Sequence, residues 1–260
     1  YNMRNLKIMR VPLIKWFLPV ILTMVCIAPA FNQTATEVIK KADDKMKGSS
    51  SYAQMKMKIN RKDWSREIVM KAWSRGEDES IILITSPKRD QGTAFLKIGR
   101  EMWNWQPTIE RVIKMPPSMM MQSWMGSDFT NDDLVKQSSI VTDYTHKFVG
   151  EETIEGRACY IIELKPKPNA PVVWGKLKVW ISKKDYLQLK GEFYDEDNYK
   201  VSTMYGLKVK EMGKRLIPSL MKIVPEDEPH NSTEIEYLSL EFDKTFVKNF
   251  FTVQNMKKLK

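Results

Sequence analysis

The chain has 260 residues, 42 of them Lys or Arg against 32 Asp or Glu, a net charge of +10 at neutral pH, and 42% of its residues are hydrophobic. That length and composition describe a folded chain with a sizeable core and exclude a disordered or low-complexity protein. Two cysteines exclude a disulfide scaffold, and two histidines leave little material for a metal or acid–base centre.

Met3 to Lys15 carries Arg4, Lys7, Arg10 and Lys15 without an acid, and an apolar run from Trp16 to Ile27 leads into Ala28-Pro29-Ala30. This is the order of a secretory signal peptide, with cleavage expected after Ala30. The run falls short of the roughly 20 apolar residues that a membrane span needs, and Pro19 interrupts it, so a cleaved leader is favoured over an anchor. Cys26 offers the alternative of a lipoprotein, but Thr23-Met24-Val25 lacks the small residue that precedes a lipidated cysteine. Residues 1–30 are thus read as a leader and 31–260 as one domain. Its removal takes four basic residues and no acid, leaving +6, and leaves Cys159 without a disulfide partner.

The mature part opens with a helix: Thr34 and Glu37 have capping-box spacing, Val38, Ile39, Ala42 and Met46 share a face, and Gly48 can close it. From Tyr52 the period changes to two, with Ala53, Met55, Met57 and Ile59 alternating with Gln54, Lys56, Lys58 and Asn60. Strands are expected at 52–60, 64–75, 79–86, 93–98, 101–106 and 109–115, and again at 140–149, 157–165, 174–182, 186–194, 199–210, 215–224 and 233–242. That spacing is an antiparallel meander. Lysines alternating with apolar residues read as the wet face of a sheet and not as a nucleic-acid surface.

Between the two series, Pro116-Pro117 stops a strand and Ser118 to Gly126 follows with four methionines and a tryptophan outside any alternation. Thr130, with Asp133 three residues on, looks like the N-cap of a short helix through Leu134 and Val135. No stretch supplies a catalytic constellation. His146 lies in an expected strand, His230 in an acidic loop, and Cys159 in the β run Ala158 to Ile162. Adjacent carboxylates such as Asp132-Asp133 and Asp195-Glu196-Asp197 sit in turn-like contexts. No metal, cofactor or enzymatic activity is expected. The 17 methionines and eight tryptophans instead suit an apolar surface that re-packs around ligands of varying shape.

The opening helix, the strand pair from Tyr52 to Trp73, Met102-Trp103-Asn104-Trp105-Gln106-Pro107, Ser123-Trp124-Met125-Gly126-Ser127-Asp128-Phe129 and the ending Asn249-Phe250-Phe251-Thr252-Val253 together resemble the LolA-like family. These are periplasmic carriers often labelled outer-membrane lipoprotein-sorting proteins. The resemblance implies a mainly β fold with a few helices. It is expected to be an incomplete antiparallel β-barrel of about eleven strands, closed by helices over a hydrophobic cavity for acyl chains. It further implies a periplasmic, monomeric, non-catalytic carrier of lipoprotein acyl chains or lipid, working with an inner-membrane transporter and an outer-membrane acceptor. In the dedicated carriers a buried arginine latches the lid; the sequence does not align Arg61, Arg66 or Arg75 to it, which leaves the latch unassigned. Cavity or lid residues are expected among Trp64, Trp73, Trp103, Trp105, Met119, Met120, Met121, Trp124, Met125 and Phe129. The alternative is an interaction or sensor module in which the Met119 to Met125 segment docks on a membrane protein or lipid exporter.

Overall fold

The change of apolar period after Gly48 marks the passage from one helix to thirteen strands. A computed structural model describes residues 33–259 apart from 121, 132, 134–139 and 171, and Gln33–Lys260 forms one unit. The expected leader with Cys26, Met121 and the helix through Leu134 and Val135 lie outside the described residues.

Helix α1 (Ala35–Lys47) is fixed at both ends. Thr34 Oγ1 accepts from the Glu37 amide at 3.2 Å and the Glu37 carboxylate accepts from the Thr34 amide at 2.9 Å, a reciprocal cap. Gly48, at φ 65°, ends the helix by donating to the Asp44 carbonyl. The buried stripe Ala35, Val38, Ile39 and Ala42 packs on Tyr144, Ile162, Leu164, Leu177, Val179 and Ile181.

The strands are β1 (Ser50–Asn60), β2 (Ser65–Arg75), β3 (Glu79–Ser86), β4 (Ala94–Ile98), β5 (Glu101–Gln106) and β6 (Arg111–Lys114), then β7 (Tyr144–Ile154), β8 (Arg157–Pro166), β9 (Lys176–Ser182), β10 (Gln188–Tyr194), β11 (Lys200–Met212), β12 (Arg215–Pro225) and β13 (Ser232–Phe242). They form one antiparallel sheet in the order β6-β5-β4-β3-β2-β1-β13-β12-β11-β10-β9-β8-β7. Two meanders therefore join at a central seam, where Met57 faces Ile235 and Ala53 faces Leu240.

Each expected strand is present, with one shifted. The seventh runs over Tyr144–Ile154 and not 140–149, because it continues through Gly150 to a two-residue hairpin at Glu155 and Gly156, both at positive φ. The strand number implied by the resemblance is corrected: the described residues form thirteen strands and not about eleven, and their sheet is open, as in an incomplete barrel, with β6 and β7 as its edges. The edges are short or charged: β6 has four residues including Arg111 and Lys114, and β7 exposes Lys147, Glu151 and Glu152. Such edges resist pairing with further strands. A further helix among the described residues, α2 (Val253–Met256), is a four-residue turn and lies with the outward cluster described next, away from α1.

Because side chains alternate, each half of the sheet carries two apolar faces. On the α1 side, Met57, Ile59, Ile68, Met70, Ile84, Phe95, Met102 and Ile235 pack with Trp124. On the other side, Ile81, Leu83, Ala94 and Leu96 are covered by Phe251 and Met256 of the C-terminal segment. On the same outward side of the second meander Cys159, Trp180, Leu187 and Leu189 form a further buried cluster, and near the seam the outward face is wet and self-paired: Lys56 and Lys208 both reach Glu236, at 3.9 and 3.0 Å, and Lys222 reaches Glu234 at 3.6 Å.

Candidate functional site

The two inward clusters, one under α1 and one around Trp124, do not merge completely. Between them lies a cavity of about 320 Å³. One wall is α1, through Ile39, Ala42, Asp43, Met46 and Lys47. The floor is the inward set of the second meander, with Leu177 and Ile181 of β9, Phe193 of β10, Met204 of β11, Met221 and Ile223 of β12, and Ile235 and Tyr237 of β13. Phe129 and Ile140 stand on one flank and Val172, Val173 and Trp174, from the loop before β9, on another. Trp174 meets Phe193 edge to face, ring centroids 5.2 Å apart.

The few charged lining groups are engaged within the protein. Lys47 Nζ lies 2.7 Å from Asp43 and 3.6 Å from Glu77. Burial raises the Asp43 carboxyl above its ordinary range, against the lowering effect of Lys47. Asp133 accepts from the Thr130 amide and hydroxyl, both at 2.8 Å, while Thr130 Oγ1 accepts from the Asp133 amide at 3.1 Å. The Thr130 cap expected from spacing is thus formed. Desolvation also raises the Tyr237 phenol. The cavity therefore offers apolar contact and no uncompensated charge, an environment for hydrocarbon and not for a polar substrate.

The segment after β6 is folded as a cap over the first meander. Trp124 donates its amide to the Phe129 carbonyl at 2.7 Å, and Asn131 Nδ2 donates to the Met119 carbonyl at 2.9 Å. Trp124 is 1% exposed and meets Phe95 edge to face at 5.5 Å. Met120, Met125 and Phe129 pack around it, and Met125 takes a left-handed φ of 55°.

Arg61, at the end of β1, holds this cap. Its guanidinium grips Asp128 through both nitrogens, at 3.2 and 3.1 Å, and donates to the Gly126 carbonyl at 3.0 Å. Thr233 of β13 donates to Asp128 at 2.6 Å. Arg66 pairs with Asp90 instead, and Arg75 with Glu79 at 2.6 Å. Arg61 is the one of the three that reaches the cap.

The sequence-expected site residues among those described are distributed over four places. Phe129 lines the cavity. Met120, Trp124 and Met125 belong to the cap's own packing, with Met119 partly buried beside them. Trp73, Trp103 and Trp105 lie on the opposite face of the sheet, under the C-terminal segment. Trp64 is 52% exposed in the β1–β2 turn, and Met121 is outside the described residues. What spacing missed are the α1 residues Ile39, Ala42 and Met46 and the inward positions of β9 to β13. Their signal was the alternation itself, in strands without tryptophan clusters.

His146 and Cys159 are both engaged within the fold. Both ring nitrogens of His146 are used, by Thr36 Oγ1 at 3.0 Å and the Ile140 carbonyl at 2.9 Å. Cys159 is fully buried, donates to the Arg157 carbonyl, and has its thiol raised by burial. Among the described residues no three metal-ligating side chains converge, and no described helix is long and apolar enough to cross a membrane.

The fold has counterparts among solved structures. A DUF1329 family protein from Desulfovibrio piger superposes with a TM-score of 0.78 at 23% identity, over 85% of this chain and 97% of its own. A putative outer membrane lipoprotein-sorting protein domain from Vibrio parahaemolyticus gives 0.75 at 23%, over 86% and 98%. A LolA superfamily protein from Nitrosomonas europaea gives 0.72 at 19%, over 85% and 99%. The fold is therefore that of the lipoprotein-sorting and LolA proteins. The chain belongs to the family whose model, described only as that of an uncharacterised protein, matches residues 76–258. No curated protein matches the sequence.

Proposed function

We propose that this protein is a non-catalytic periplasmic carrier that binds the acyl chains of lipoproteins or lipids in the cavity beneath α1 and passes them towards the outer membrane. The observation that carries this reading is the cavity of about 320 Å³, walled by α1 and the inward strands, whose charged lining groups are already paired with protein partners. Hydrocarbon burial supplies the affinity, about 0.8 kcal/mol per methylene. Its fold relatives include a protein described as an outer membrane lipoprotein-sorting domain, which supports the same assignment. Arg61 is the lid latch of this reading, and Trp73, Trp103 and Trp105 act in packing and not in ligand contact. An inner-membrane donor and an outer-membrane acceptor are the partners it requires.

The experiment is native mass spectrometry of protein purified from the periplasm under non-denaturing conditions. Co-purified lipid, released on denaturation and displaced by added acyl ligand, is the expected result. A ligand-free protein that binds no added acyl compound overturns the assignment. In the docking-module alternative, Trp124 would meet a partner, yet it is 1% exposed; that alternative requires the cap to lift first.

A further inference from the structure

The polar groups that line the cavity divide into engaged and unengaged ones. The charged groups are engaged: Lys47 Nζ lies 2.7 Å from Asp43 and 3.6 Å from Glu77, and Asp133 accepts from Thr130. The described lining thus sets two carboxylates against one ammonium and leaves no spare cation for an anion on the ligand. Three neutral groups of the lining are unengaged. The Tyr237 hydroxyl on β13, the Gln188 side-chain amide on β10 and the Trp174 indole N–H before β9 make no hydrogen bond among the described residues. The Tyr237 phenol is set apart by desolvation alone.

A desolvated hydroxyl without a partner costs free energy until something bonds to it. All three groups can donate, and an indole can only donate, so their complement is an acceptor on the ligand. An anionic acceptor would be desolvated here without a counter-charge, a heavy cost. A neutral carbonyl needs only one such donor. We infer that the cavity reads the uncharged carbonyl of an acyl ester or amide through the Tyr237 hydroxyl, with Gln188 and Trp174 as further donors along its walls, and discriminates against the free fatty-acid carboxylate. The inference rests on the carrier assignment above and names the linkage by which the ligand is held. Hydrocarbon burial supplies affinity, and the hydroxyl selects the linkage.

The test is isothermal titration calorimetry of the delipidated protein at about pH 8, where a carboxylate is ionised. The probes are a monoacylglycerol, an N-acyl amino-acid amide and a fatty acid of one matched chain length, each below its micelle concentration. The ester and the amide should bind about tenfold more tightly than the fatty acid. The tighter of those two tells whether a glycerolipid or an N-acylated lipoprotein supplies the carbonyl. Tyr237→Phe, which removes only the hydroxyl, should weaken ester and amide about fivefold and leave the fatty acid within about twofold. Asp43→Asn takes from Lys47 its shorter ion pair; it should tighten the fatty acid about tenfold and leave the ester unchanged. Far-UV circular dichroism checks that each variant folds, and the wild-type ranking decides without either variant.

A fatty acid that binds as tightly as the matched ester overturns the carbonyl inference and leaves the carrier standing. So does an ester indifferent to a folded Tyr237→Phe protein, or a fatty acid indifferent to a folded Asp43→Asn protein. Absence of binding by every acyl probe overturns the carrier assignment as well.

Discussion

Arg61 and Asp128, 67 residues apart in sequence, form a two-point ion pair whose side chains are 17% and 11% exposed. It ties the end of β1 to a cap that Thr233 of β13 also holds, its hydroxyl donating to the Asp128 carboxylate at 2.6 Å and accepting from the Asp128 amide at 3.0 Å. Removing the guanidinium leaves a largely buried carboxylate with Thr233 as its remaining side-chain donor. Arg61→Ala should therefore cost about 3 kcal/mol in urea denaturation. It should also open residues 115–130 to proteolysis before the sheet unfolds. Arg61→Lys should recover less than half, since an ammonium cannot grip both carboxylate oxygens. In an Asp128→Ala background the same Arg61→Ala change should cost much less, which a double-mutant cycle measures.

Trp124 combines full burial with an indole N–H that has no hydrogen-bond partner among the described residues. Its ring fills the space against Phe95 and the methionines of β1, β2 and β5. Trp124→Ala should thus cost about 3–5 kcal/mol, whereas Trp124→Phe, which also removes the unpaired donor, should cost under about 1.5 kcal/mol. Thermal melts of the two variants separate packing from polar contributions.

His146 joins α1 to β7. A carbonyl can only accept, so Nε2 carries the proton to Ile140 and Nδ1 accepts from Thr36 Oγ1. Burial lowers its pKa below the usual 6.5, with Lys167 acting in the same direction. The unfolded chain then binds more protons than the folded one below that value. The stabilisation is accordingly complete above pH 6.5 and is lost as the pH falls through 6.5 towards the folded pKa. Equilibrium denaturation at pH 7.5 and at about pH 5 should show this loss in the wild type and less of it in His146→Gln. His146→Ala should cost about 1 kcal/mol at pH 7.5.

Phe251 is 3% exposed and packs against Phe246 and Phe250, with the Arg75 guanidinium 4.9 Å from its ring centre. It seals the outward face of the first meander together with Trp73, Trp103 and Trp105. Phe251→Ala should cost about 3–5 kcal/mol in chemical denaturation. Deleting residues 246–260 should expose the tryptophans, read as a red shift in their emission, and cause self-association.

The strands were legible because period-two alternation survives wherever one face is wet. Tyr52 to Asn60 shows it at every position, and the observed β1 differs from the expected strand only by two residues at its start. The same rule failed to say which face held the ligand. In β3 and β4, Ile81, Leu83 and Leu96 are as buried as Ile84 and Phe95, although they point to opposite sides. A sequence doubly apolar in this way cannot reveal that the C-terminal segment covers one side. The tryptophans drew attention to that covered face, while the cavity formed among Ala42, Met204, Ile223 and Ile235, residues unremarkable one by one. The choice of Arg61 over Arg66 and Arg75 was also illegible, since it depends on Asp128 being brought to the end of β1.

The seam between β1 and β13 joins Asn60 to Ser232, 172 residues apart. The first strand thus waits for the last before its second edge is satisfied, and the aromatic cover of the first meander comes still later in the chain. A growing or truncated polypeptide that has made six strands presents an open edge and a bare apolar face at once. Loop closure over such a span is slow, so completeness of the chain, and not local stability of its first half, decides when the molecule becomes safe from aggregation.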